Sequence, residues 1–283
     1  MPLHVRVFLL TVLAMLAFAG NSLLCRLALK TTAIDPASFT LIRLASGALT
    51  LWVIMASRKT SATGSWASAA ALFVYVGAFS FAYVNLPAAT GALILFGSVQ
   101  FTMLGYGVAK GDRLSALQIV GIVIAVCGLV VLLLPGLATP SLTGATLMMA
   151  AGIAWGVYSL RGRHAGDPAR ATAGNFIRAV PFATVLAAVM LPKLVADAAG
   201  IGYAVASGAV MSATGYIIWY AAVKKLKATT AASVQLSVPA LTALGGIAFL
   251  DEHLTWTLAL VCLGILGGVA LAALTVKPWR RPP

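Results

Sequence analysis

Short polar breaks divide the chain into long apolar runs, and the breaks fall at charged residues, prolines and glycine-polar clusters. The pattern predicts ten helices, at about 7–25, 37–57, 66–84, 88–109, 114–134, 143–160, 171–191, 200–223, 228–249 and 254–275. Each run stays apolar for about 18 residues or more, close to the length that crosses roughly 30 Å of hydrocarbon. The alternation that a lipid-facing barrel strand requires is missing, so the spans are expected to be helices.

Composition fixes the solvent. Hydrophobic residues make up 61% of the 283 and charged residues 9%, and the mean hydropathy is +1.01. An average soluble domain is about half apolar and a quarter charged, so this chain lacks the residues for an aqueous skin. Ten spans of about 20 residues also leave no room for a soluble catalytic domain. The net charge of +13 is spread over the gaps between runs instead of covering one exposed face, which argues against a nucleic-acid partner. Cys25, Cys127 and Cys262 lie inside runs and read as small core residues, not as a disulfide framework.

The basic residues also give the orientation. With a cytoplasmic N-terminus, that side carries Arg6, Arg58, Lys59, Lys110, Arg113, Arg161, Arg163, Arg170, Lys224, Lys225, Lys227, Lys277, Arg280 and Arg281. The opposite side carries Arg26, Lys30 and Lys193, while Arg43 and Arg178 fall within spans. The positive-inside rule therefore predicts two cytoplasmic termini in a multi-pass membrane protein. Ala17-Phe18-Ala19 resembles a signal-peptide cleavage site, but the apolar run continues to Leu24, so the first segment is expected to remain as a span.

The chain repeats itself. Leu86-Pro87-Ala88-Ala89-Thr90 matches Leu226-Lys227-Ala228-Thr229-Thr230, and the register continues through Gly111-Asp112-Arg113-Leu114 against Asp251-Glu252-His253-Leu254 to Gly128 against Gly268. Ile42-Arg43 likewise matches Ile177-Arg178, and Ala19-Gly20 matches Trp155-Gly156. Residues 1–136 and 141–279 are thus expected to be two five-helix copies. Because five is odd, the second copy crosses in the opposite sense. The expected fold is an all-α membrane protein of ten transmembrane helices in two inverted five-helix repeats. Such repeats enclose a site near the bilayer midplane.

The second half carries Leu226-Lys227-Ala228-Thr229-Thr230-Ala231-Ala232-Ser233, then Pro239-Ala240-Leu241-Thr242, then Asp251-Glu252-His253-Leu254-Thr255 and a closing Gly264/Gly268 helix. In these residues the chain resembles the drug/metabolite transporter superfamily, EamA type. Within it, Ala154-Trp155-Gly156-Val157-Tyr158 and Tyr83 resemble the YddG-type bacterial amino acid exporters. Where those have an aromatic-rich stretch ending in proline, this chain has Phe96-Gly97-Ser98-Val99-Gln100. The resemblance implies export of small metabolites, amino acids with aromatic or neutral side chains above all. A multidrug or nucleotide-metabolite exporter of the same superfamily is the alternative.

Asp35, Asp112, Asp167, Asp197, Asp251 and Glu252 all fall in gaps or at helix ends, as do His4, His164 and His253. No span supplies a carboxylate or imidazole to carry protons, which points to facilitated movement. The same lack removes paired aspartates, a zinc motif or a serine with its base, so no enzyme, metal or cofactor is expected. Arg43 and Arg178 either grip a substrate carboxylate or hold the fold by snorkelling and bonding helix-end carbonyls. The remaining candidates to contact substrate are Asn21, Tyr75, Phe79, Tyr83, Phe96, Gln100, Trp155, Tyr158, Tyr216, Gln235 and Ser237. Their amides are poorly tolerated against lipid, and Tyr75, Phe79 and Tyr83 fall on one helical face. Trp219 and Tyr220, near a helix end, read as interfacial anchors. Gly107/Gly111, Gly152/Gly156 and Gly264/Gly268 have the spacing of close helix contacts, and Pro181 and Pro239 are expected to kink their helices for gating. A monomer working by alternating access, with a small molecule and lipid as its partners, completes the expectation.

Overall fold

The computed structural model describes residues 3–111, 115–133, 141–162, 165–223, 234–235, 237–253, 256, 259–260, 263–264 and 266–268. The described residues are helical with no strand. The helices are α1 (Leu3–Thr31), α2 (Pro36–Ser57), α3 (Trp66–Tyr83), α4 (Ala88–Ala109), α5 (Ala116–Leu133), α6 (Leu142–Gly162), α7 (Pro168–Val189), α8 (Ala198–Val205), α9 (Gly215–Val223) and α10 (Ser237–Leu250). Between α8 and α9 the chain winds as a π-helix over Ala206–Thr214, so Ala198–Ala222 makes one apolar passage. Seven helical passages among the described residues are long and apolar enough to cross a membrane. The tenth predicted helix, the start of the ninth and Cys262 lie largely outside the described residues.

Local sequence sets the helix starts. α2 and α7 open on the same device, an Asp-Pro-Ala step. Asp35 accepts from Ala37 N and Ser38 N, and Asp167 accepts from Ala169 N and Arg170 N. In both, the proline takes the first helical position, where its missing N–H costs nothing. α4 ends at Gly111, whose φ of +97° suits a residue without Cβ.

α1 runs further than the predicted 7–25, because Arg26 and Lys30 do not end it. Their side chains reach neighbouring carbonyls instead: Arg26 donates to Tyr83 O and Val84 O, and Lys30 to Leu250 O. The outer surface of the bundle is apolar, with Trp52, Val185, Val189, Leu244 and Phe249 exposed, as lipid-facing side chains should be. Cys25 is buried as expected, but Cys127 lies on an outer face. A thiol facing hydrocarbon loses little.

Contacts sort the connections into two ends. At one end Asp35 exchanges hydrogen bonds with Val195, and Glu252 pairs with Arg26 at 3.3 Å. The Glu252 carboxylate also accepts from Ala88 N at 2.8 Å, where the helix dipole favours an anion. At the other end Thr63 N donates to Arg170 O, Ser65 N to Asn175 Oδ1, and Arg161 Nε to Ser68 Oγ.

Candidate functional site

Three elements meet around Arg43. α2 crosses the π-helix so closely that a Cβ on Gly208 would come within 2.1 Å of Arg43 O and of Ser46 Oγ. This approach brings Ser212 to the Arg43 side chain, whose Nε donates to Ser212 Oγ at 3.1 Å. Ser212 in turn donates to Asn21 Oδ1 on α1 at 3.2 Å, and Ser207 donates to the same oxygen at 2.7 Å. Ser207 and Ser212 are five residues apart, and in a winding whose bonds reach i+5 they stand on one side. A plain α-helix would have turned one of them away.

The guanidinium is fully buried, at 0% exposure. Its Nη2 donates to Tyr75 Oη at 3.3 Å, and the group lies 5.1 Å from the Phe79 ring centre and 5.5 Å from that of Tyr75. Among the described residues its Nη1 has no hydrogen-bond partner, nor does Asn21 Nδ2. Among the described residues no carboxylate pairs with it; Asp35, Asp167, Asp197, Asp251 and Glu252 sit at helix ends or in connections. Desolvating such a cation costs several kcal/mol. A cation–π contact returns up to about 2 kcal/mol and a hydrogen bond to a charged group about 1.5–3, so the group is held but not neutralised.

Aromatic rings enclose this centre. Trp155 on α6 lies 4.9 Å from Tyr75, 4.8 Å from Tyr216, 5.6 Å from Tyr158 and 5.6 Å from Phe18, all by ring centres. Phe79 continues the chain of rings to Tyr83 at 4.7 Å. The rings are buried against each other, so the cluster is closed to solvent in this conformation.

Of the residues singled out in the sequence, Asn21, Arg43, Tyr75, Phe79, Tyr83, Trp155, Tyr158 and Tyr216 are linked by these contacts. Phe96 and Gln100 are buried on α4, which packs on α6. Gln235 is buried, whereas Ser237 is exposed and donates to Val234 O at 2.6 Å. Arg178 stands apart: it donates to Thr63 O at 2.8 Å and Gly174 O at 3.0 Å, binding the α2–α3 connection to α7.

Other expectations change. Trp219 and Tyr220 are buried, Trp219 against Phe18 at 5.7 Å, so they belong to the interior and not to an interfacial belt. Pro181 is exposed on a helix that continues through it, and Pro239 is buried on α10. Gly152 and Gly156 meet α4 at Leu95 O and Thr102, as the spacing requires, whereas Gly111 ends a helix and, among the described residues, Gly264 meets nothing. The sequence reading missed Phe18, Ser207 and Ser212. Phe18 stands three residues before Asn21 on one helical face, which was a usable signal; the serines become readable only once the π winding is known.

The EamA-like transporter family matches residues 142–274. The threonine/homoserine exporter RhtA of Salmonella typhimurium is 33% identical over 204 residues, 66% of this chain and 67% of that one. The chain belongs to the EamA-like transporter family. A protein of Pseudomonas aeruginosa described as uncharacterized is 54% identical over 269 residues, 94% of each chain. An uncharacterized transporter of Archaeoglobus fulgidus is 26% identical over 285 residues, 93% of this chain and 96% of that one. A crystal structure at 19% identity superposes with a TM-score of 0.68 over 95% of this chain and 98% of the other, a likeness of fold. As an EamA-like protein the chain is a transporter and not an enzyme, and a multi-pass membrane protein, of the inner membrane in a bacterium.

Proposed function

We propose that this EamA-like protein exports small carboxylate-bearing metabolites, amino acids with neutral or aromatic side chains among them, by facilitated alternating access. The observation that carries the reading is Arg43, a buried cation that among the described residues has an unfilled donor and no carboxylate partner, set among aromatic rings. An ionisable residue inside a membrane is functional by default, and a substrate carboxylate accepts from Arg in a fork. Asn21 Nδ2 supplies a second donor. Tyr75, Phe79, Trp155 and Tyr216 receive the side chain, with Tyr83, Tyr158, Phe96, Gln100 and Gln235 around them. The RhtA relative, an exporter of threonine and homoserine by name, and the YddG-type resemblance in Ala154–Tyr158 support this substrate class.

The halves in this reading are 1–136 and 141–279, ten helices with both termini cytoplasmic, in a monomer. Packing supports the inversion. α3 packs on α6 as the 198–223 passage packs on α1, α4 packs on α6 as α10 packs on α1, and α2 and α7 pack on each other. The end holding Arg58, Lys59, Arg161 and Arg170 is then cytoplasmic, and Arg26, Glu252, Lys30 and the start of α4 form a latch on the outer side. No described carboxylate lies inside a span to carry protons. Purified protein in vesicles loaded with labelled phenylalanine or threonine tests the reading. Saturable flux stimulated by counterflow is expected; non-saturable flux indicates a channel and no flux a structural role, and either overturns it.

A further inference from the structure

The transport reading leaves open what charge the cargo carries. We infer that the Arg43 site selects small monocarboxylate anions with an apolar or aromatic body over zwitterions of the same shape, and moves them as charged species, so that an inside-negative membrane potential drives them outward. The inference rests on the exporter reading and adds the cargo's charge and the source of its direction.

Among the described residues the unfilled groups of the site include two donors, Arg43 Nη1 and Asn21 Nδ2, and the Tyr216 hydroxyl, and Ser212 Oγ connects the two donor side chains. A carboxylate, with two acceptor oxygens, is the group that fills donors of this kind. A bound monoanion leaves the buried site neutral, whereas a bound zwitterion leaves it with one net positive charge. No described carboxylate is there to neutralise an ammonium: the carboxylates sit at helix ends, and the faces of Tyr75 and Phe79 already hold the guanidinium. In a region of low dielectric an unpaired charge is the expensive outcome, so removing the amino group from the cargo improves the fit. The aromatic enclosure of Phe18, Trp155 and Tyr216 asks for an apolar body.

The charge of the cargo then supplies direction. A monoanion crossing a membrane of 100 mV, negative inside, reaches balance at a roughly 50-fold outward gradient. A carrier with no proton-carrying group in its described spans needs no other coupling.

Vesicles containing the full chain test this with labelled phenylpyruvate and labelled phenylalanine, two probes that differ in the amino group, under potassium diffusion potentials of either sign. Phenylpyruvate should half-saturate counterflow at a concentration at least 10-fold lower. Its net entry should accelerate with an interior-positive potential and slow with an interior-negative one, while phenylalanine exchange stays indifferent. Arg43→Lys, which keeps the charge and loses the fork, should weaken both probes and preserve their order. Equal half-saturation, or phenylpyruvate flux independent of potential, overturns the inference; phenylalanine counterflow persisting in that case leaves the exporter reading intact. If neither probe moves, the exporter reading itself fails and the inference with it.

Discussion

Arg43 and Arg178 each follow an isoleucine in matching stretches of the sequence, and each belongs to a helix opened by an Asp-Pro-Ala step. Their surroundings differ completely. Arg178 is half-buried and spends one nitrogen on two backbone carbonyls, Thr63 O and Gly174 O, at a helix-end connection. Arg43 is sealed among Ser212, Tyr75 and Phe79 with one nitrogen unfilled. What separates them is the neighbour that each helix meets. α2 crosses a π-wound segment at Gly208, which delivers a serine to the guanidinium, while α7 meets a loop whose Thr63 O stands where any Cβ at Gly174 would lie. In the proposed reading one arginine of the matched pair is a fastener and the other a binding group.

The largest expected effect tests that division. Arg43→Gln should lower the kcat/KM of counterflow at least 100-fold, the loss expected when a charge-assisted fork worth about 3 kcal/mol is removed. Arg178→Gln should change it less than about 3-fold while lowering Tm by a few degrees, since a half-exposed contact contributes about 1 kcal/mol. A similar loss of flux in both, with both proteins folded by size exclusion, would erase the distinction. Next, Trp155→Ala removes the ring that joins four others. About a tenfold or greater fall in transport is expected, with a stability cost of about 3–5 kcal/mol; Trp155→Phe should recover most of the stability. Gln100→Ala, on the neighbouring helix, should impair transport less than Trp155→Ala does.

A third substitution acts on the crossing itself. Gly208→Val forces α2 from the π-helix at a cost of about 1–3 kcal/mol and should weaken substrate binding along with Tm, whereas Gly202→Ala, which meets open space, should do neither. The smallest effect belongs to the outer latch. Glu252→Gln loses an ion pair worth about 1 kcal/mol and should speed opening on that side a few-fold, read as faster exchange with unchanged half-saturation.

The spans were legible because hydrocarbon enforces long apolar runs, and α2, α4 and α6 lie within two residues of their expected limits. α1 was not, because charge usually ends a span, and Arg26 and Lys30 find carbonyl and carboxylate partners only in the folded bundle. The centre was legible in part. Asn21, Tyr75, Trp155 and Tyr216 are polar or aromatic in apolar runs and could be named. Position along a helix says nothing of what faces it, so the sequence allows Arg43 either role. Ser207 and Ser212 were passed over because α-helical periodicity separates them, and Trp219 was misread because nearness to a helix end does not fix which side a ring takes.

The account turns on a substrate carboxylate lying against Arg43, and competition measures this most directly. Labelled phenylalanine counterflow in vesicles should be suppressed by unlabelled phenylalanine and escape phenylalaninamide, which lacks the carboxylate, by a margin of about 30-fold or more, as expected for a charge-assisted contact of about 2–3 kcal/mol. Equal suppression by the amide would mean that no carboxylate is read at this site, and Arg43 would join Arg178 as a fastener.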